Sequence, residues 1–176
     1  MPLSFVLDPP LTPHLREQII ALWTDVTNAG GAVGFVPPVR PDDVRPTAER
    51  TFAGVEAGLD HALLAVEGNR LVGLLFVINN RFALKSHWAV LKRVMIAPGY
   101  QGHGYGAALM REAASVGRKL GLSAVQVTVR GGTGTEAFYA RLGYREVGRL
   151  PGALRVDAEG DRDEIIMWLG LDGPPA

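Results

Sequence analysis

Residues 88–107, WAVLKRVMIAPGYQGHGYGA, decide how this chain is read. Trp88 to Ile96 carries Val90, Leu91, Val94, Met95 and Ile96 with little polar relief, the pattern of a strand buried within a sheet. Pro98 stops it. Gly102, Gly104 and Gly106 then fall at every second position, and from Ala107 onward Leu109, Ala113, Val116 and Leu120 recur at helical spacing until Gly121. Glycines let a ligand approach the main chain closely, while the first N–H groups of a helix and its positive dipole end favour an anion. The expected ligand is a phosphate or pyrophosphate, held by main-chain donors of Gln101, Gly102, His103, Gly104, Tyr105, Gly106 and Ala107.

Glycine spacing separates three phosphate-loop designs. The Walker loop needs Gly-Lys-Ser/Thr before its helix, and Gly106 is followed by Ala107 and Ala108. The dinucleotide fingerprint Gly-x-Gly-x-x-Gly follows the first strand of a βαβ unit, whereas this loop reads Gly-x-Gly-x-Gly deep inside the chain. A turn that merely joins a strand to a helix stays open on the glycines alone. What remains, Gln101-Gly-His-Gly-Tyr-Gly106, resembles the Gln/Arg-x-x-Gly-x-Gly/Ala signature of the GCN5-related N-acetyltransferase (GNAT) family. Residues 137–144, AFYARLGY, resemble that family's Phe-Tyr-x-x-x-Gly-Phe/Tyr segment, in the right order downstream.

Composition narrows the function classes. At 176 residues and 47% hydrophobic content the chain can bury a core, and one domain over residues 1–176 is expected. Lys plus Arg and Asp plus Glu both number 18, so no global field recruits nucleic acid or an acidic membrane. The absence of cysteine excludes a disulfide framework, a thiolate metal site and a cysteine nucleophile. The histidines at 14, 61, 87 and 103 have no ligand spacing, so no metal is expected. The start MPLSFVLDPP lacks a basic region with a sustained apolar core, and the apolar run near residues 71–78 is too short for a bilayer. The expected setting is cytoplasmic.

Taken in order, the chain predicts a strand at Leu3–Leu7 and a helix capped by Thr12, with Leu15, Ile19, Leu22 and Val26 inward. Residues 29–41, carrying Val33, Phe35 and Val36 among glycines and prolines, are either a packed connector or a lid over a substrate, and the resemblance favours the lid. A second helix uses Val44, Ala48, Phe52, Val55 and Leu59. A hairpin follows over Ala62–Val66 and Leu71–Ile78, turning at Gly68-Asn69. Beyond the central helix come a strand at Val125–Val129, a short helix over Thr135–Leu142, and strands at Tyr144–Arg149 and Glu164–Leu169, joined by a loop containing Pro151-Gly152. The order is βααβββαβαββ, an α/β (α+β) chain with a mixed, mostly antiparallel sheet and helices on both faces. It matches the order that the resemblance implies.

The resemblance also implies a reaction: transfer of acetyl from acetyl-coenzyme A, as cosubstrate, directly to a primary amine of a small molecule through a ternary complex. Such a transfer requires a neutral amine, donors for the tetrahedral oxyanion and a proton donor for the departing thiolate. In the resembled family the central strand and its successor splay, which places Val94, Met95 and Ile96 beside the pantetheine arm. Tyr139 takes the position of the family's tyrosine near the coenzyme sulfur. The glutamate that some members carry on the central strand corresponds to Val90, and an Asn common in the loop before the Phe-Tyr pair corresponds to Gly132. An alkylamine near pKa 10 is only about 0.1% neutral at pH 7, so a base must come from elsewhere or water must carry the proton. Asp25, Asp42, Asp163 and Glu164 are the carboxylates weighed for that role, none of them chosen.

Lys92 and Arg93 in the central strand are expected either to pair with carboxylates or snorkel at a sheet margin, or else one of them reaches the acceptor pocket and holds a substrate carboxylate; Arg93 and Phe35 are the substrate-binding candidates. A protein or peptide amine as acceptor, and a catalytically silent acyl-coenzyme A-binding module, are the alternatives. Relatives often form homodimers through their last strands.

Overall fold

The hydroxyl of Thr12 accepts the Leu15 N–H at 3.2 Å, and with Pro13 in the first turn it starts helix α1, Pro13–Asn28. The protein is described here by a computed structural model, which covers residues 2–157 and 160–172. Its order is β1 (Leu3–Leu7), α1, α2 (Pro41–Glu56), β2 (His61–Glu67), β3 (Arg70–Asn79), β4 (Trp88–Ile96), α3 (Tyr105–Lys119), β5 (Ala124–Arg130), α4 (Thr135–Arg141), β6 (Arg145–Asp157) and β7 (Gly160–Gly170). The α/β class and the βααβββαβαββ order are those the sequence predicts.

Three boundaries differ, each for a local reason. Helix α2 ends before Leu59, because Gly58 turns left-handed at φ 67° and leaves Leu59 half exposed. Helix α3 starts at Tyr105 rather than Ala107, since Gly104 supplies the turn and its carbonyl accepts the Ala108 N–H at 3.0 Å. The expected loop from Pro151 to Asp163 is largely strand: β6 runs through Pro151, shifts register between Leu150 and Leu154, and pairs again with β7 at Leu154↔Arg162 and Arg155↔Asp161, while residues 158–159 lie outside the described residues. Strand β6 is the last in the order, so a proline without an N–H removes no bond on its open side.

Two compact units make up the chain, Met1–Ile78 with Lys92–Leu109 and Asn79–Leu91 with Met110–Ala176; β4 and α3 each run from one into the other. In the first unit β1–β2 and β2–β3 are antiparallel, and the Ala97 N–H donates to Val72 O at 2.8 Å, where β4 follows β3. Its core joins Ile19, Ile20, Trp23, Phe52, Leu74 and Phe76. Burying such side chains contributes about 1.5–3 kcal/mol each. In the second unit β4 pairs parallel with β5 over Trp88–Val90 only, and β5–β7 and β6–β7 are antiparallel. The strand order is β1-β2-β3-β4-β5-β7-β6.

Residues 29–40, between α1 and α2, are a packed connector. Val33 is buried in the core, its carbonyl accepts the Trp23 indole N–H at 2.9 Å, and the Asn28 side chain bonds both the N–H and C=O of Val39 at 2.9 Å.

Candidate active site

The glycine turn lies wholly in the first unit. Gly102 and Gly104 both take left-handed backbone, φ 79° and 82°, which a side chain would strain by about 1–2 kcal/mol. A Cβ built at either meets nothing within 4 Å, so the space beside both glycines is open to a ligand. The first helical bond runs from Ala108 N–H to Gly104 O, which leaves the N–H groups of Tyr105, Gly106 and Ala107 before the first closed turn. Those donors at the dipole's positive end suit a pyrophosphate.

Side chains brace the turn. The Gln101 amide donates to Ile96 O at 3.0 Å, tying the loop to the end of β4. Tyr105 donates its hydroxyl to Glu67 at 2.6 Å and stacks on Tyr100 at 5.9 Å, and the Arg70 guanidinium lies 5.5 Å over the Tyr100 ring. The Glu67 carboxylate holds the Tyr105 phenol above its usual pKa. His103 is exposed, its Nδ1 2.8 Å from Gln101 O. Tyr105 therefore serves as a strut and His103 as a loop closure.

Strand β4 carries Val94, Met95 and Ile96 one step before the turn. Its burial alternates from Trp88 to Leu91 and then breaks at Arg93, whose backbone is left-handed at φ 57°. Non-glycine residues rarely adopt that conformation. On the same side of the strand as buried Leu91 and Met95, its guanidinium lies 5.2 Å over the Trp23 ring and so close to Gly34 that a Cβ there would meet it at 2.1 Å. Phe35 meets Trp23 edge-on at 5.9 Å. Arg93 thus joins Phe35 through Trp23, which the sequence reading had not singled out.

A cavity of about 240 Å³ lies here, lined by Thr47, Arg50 and Thr51 of α2, Asp60, Phe76 and Ile78 of β3, and Lys92 and Arg93. Thr47, Arg50 and Asp60 escaped the sequence reading; helical spacing of Thr47, Arg50 and Thr51 on one side of α2 was the available signal.

In the second unit Tyr139 is buried in α4, edge-on to Phe138 at 5.1 Å and to Tyr144 at 5.4 Å. Burial pushes its phenol up to about 12. Among the described residues the neighbouring Tyr144 hydroxyl is buried and unpartnered, and burial raises its pKa too. Before α4, the Gly131 N–H donates to Asp163 O at 2.8 Å, and Gly132, where relatives often place Asn, is left-handed at φ 79°.

The four carboxylates weighed as bases are ordinary structural charges or exposed. Asp163 accepts from Gly152 N–H at 3.0 Å and Arg149 at 3.2 Å, bonds that hold it below the usual carboxylate range. Asp42 is exposed beside Arg45 at 3.5 Å, and Asp25 is exposed on α1. Glu164 stands opposite both Arg130 and Leu150 within the β5–β7–β6 ladder. Among the described residues no group of three or more His, Cys, Asp or Glu could hold a metal ion, and no helix is long and apolar enough to cross a membrane.

Solved structures share this fold at low identity. The N-acetyltransferase from Staphylococcus aureus Mu50 is 10% identical, with a TM-score of 0.77, covering 96% of this chain and 99% of that one. The yncA structure from Salmonella typhimurium, with its cofactor acetyl-CoA, is 16% identical, with a TM-score of 0.76 and coverage of 99% and 96%. The ribosomal-protein-S18-alanine N-acetyltransferase from Escherichia coli is 19% identical, with a TM-score of 0.69 and coverage of 97% and 96%. The model of the acetyltransferase (GNAT) family matches residues 18–144, from within α1 to the end of the Phe-Tyr segment and so across the glycine turn. With well over half of its length matched, the chain belongs to the acetyltransferase (GNAT) family.

Proposed function

We propose that the protein transfers acetyl directly to a primary amine of a small molecule, in the cytoplasm, within one domain spanning residues 1–176. The observation that carries the donor side is the turn at Gly102 and Gly104, left-handed and open, leading into the free N–H groups of α3. Bound acetyl-coenzyme A supplies a thioester whose carbonyl carbon bonds to the amine nitrogen as the carbon–sulfur bond breaks. The main chain from Gln101 to Ala107 grips the pyrophosphate, and Val94, Met95 and Ile96 offer backbone groups to the pantetheine arm.

Tyr139 is assigned to the departing sulfur. A proton moved from a phenol near 12 to a thiolate near 8.5 would climb by roughly 5 kcal/mol, so Tyr139 donates a hydrogen bond and keeps its proton. No side chain is assigned as base; the amine's proton leaves to water. Phe35 and Arg93 are assigned to the acceptor, and the approximately 240 Å³ cavity, sized for part of a small molecule, favours that class.

A protein amino terminus is the second reading, since one solved structure of this fold is a ribosomal-protein-S18-alanine N-acetyltransferase. Calorimetry with acetyl-coenzyme A and a thiol-release assay over amines and peptides test both. The expected result is coenzyme binding with turnover of small amines. Turnover of peptides alone selects the second reading, and binding without turnover across the panel selects a silent coenzyme-binding module, in keeping with Val90 at the glutamate position.

A further inference from the structure

The Arg93 guanidinium presents five N–H donors. Among the described residues it has no hydrogen bond and no carboxylate partner; the Trp23 ring lies beneath it. A cation partly removed from water without an anion is costly, and burial draws its pKa down. The backbone around it is strained in the same sense, left-handed at a non-glycine position. Gly34 leaves room for the head group, because any Cβ there would collide with it. Structure and sequence thus maintain an expensive arrangement that packing alone does not require.

The cavity beside it carries a surplus of positive charge. Arg50, Lys92 and Arg93 line it against one carboxylate, Asp60. Thr47, whose hydroxyl accepts from Arg50 at 3.0 Å, and Thr51, whose hydroxyl donates to Thr47 O at 3.0 Å, add polar atoms. Phe76 and Ile78 form an apolar side. Such a cavity suits a small molecule with an oxyanion at one end and a hydrocarbon stem.

We infer that the acceptor is an amine that also bears a carboxylate, an amino acid or a close analogue, and that Arg93, with Lys92 and Arg50 at its side, binds that carboxylate. The inference deepens the proposed small-molecule N-acetyltransfer and rests on it. Arg93 can donate two parallel N–H bonds from its planar fork to the two carboxylate oxygens, which lysine cannot do. The assignment also separates small amino acids from an internal protein amine, whose own carboxylate is tied up in a peptide bond.

The test uses matched sets of three: an amino acid, its primary amide, and the decarboxylated amine. Calorimetry on the purified full chain reads binding, and thiol release reads turnover. The free acid is expected to bind about 10- to 100-fold more tightly than its amide. Arg93→Gln should remove most of that preference, and Lys92→Gln and Arg50→Gln, at exposed positions, should reduce it without unfolding the chain. Acetyl-coenzyme A affinity, measured on each variant, reports that the fold is retained. If Arg93→Gln loses that affinity, the two exposed variants decide. Equal binding of acid and amide, or a preference unchanged in the folded variants, overturns the inference while leaving N-acetyltransfer standing. Loss of all coenzyme binding in the wild-type protein would overturn the donor reading instead.

Discussion

At the scale of single residues, Tyr139 has a specific acid–base consequence. Its phenol stands near 12 when folded and about 10 when unfolded. The stability linked to it is therefore fully present below about pH 10 and lost as pH rises through about 12. Denaturant unfolding across that window should show the loss, and Tyr139→Phe should flatten it in part, with buried Tyr144 accounting for the remainder. In catalysis the same substitution removes one hydrogen-bond donor. The expected effect is a fall in kcat of about 10²-fold with the KM for acetyl-coenzyme A little changed. A phenol near 12 also predicts that the rate profile has no limb from Tyr139 below about pH 11.

At the scale of elements, the strand–turn–helix of β4 and α3 was legible because each piece is encoded locally. Apolar runs make the strand, Pro98 ends it, and glycines at 102 and 104 supply backbone that other residues avoid. Gly104→Ala should lower stability by about 1–2 kcal/mol through φ strain alone, because the added methyl meets no atom within 4 Å. It should also weaken acetyl-coenzyme A binding, which separates a ligand-gripping turn from a plain connector. Thr12→Ala tests the reading of α1, where loss of the side-chain bond to Leu15 N–H should cost about 1 kcal/mol in thermal or denaturant unfolding. The last two strands were less legible. Pro151-Gly152 is a turn signal, yet an edge position lets β6 absorb it through a register shift.

At the scale of the whole molecule, a formal charge of zero conceals local asymmetry: a cavity with three cationic side chains for one carboxylate. Coenzyme binding belongs to this scale too, since a ligand that binds only the folded chain stabilises all of it. Acetyl-coenzyme A at about 100 times its Kd should raise the unfolding free energy by about 2.7 kcal/mol, read as a shifted denaturant midpoint. Added salt should reduce the shift, because an anion held at a helix start is screened.

The sequence by itself determined the order of elements, the glycine turn and the short helix that carries Tyr139, because periodicity, caps and left-handed glycines act over a few neighbouring residues. Only the tertiary structure decided what surrounds Arg93. Residues 23, 34, 47, 50, 60 and 93 are distant in the chain, and alternation alone places Arg93 on the side of Ala89, Leu91 and Met95 without saying what it meets there. Local pattern does not encode which distant side chains a buried cation meets or lacks. That meeting, settled by packing, sets three cationic side chains around one cavity.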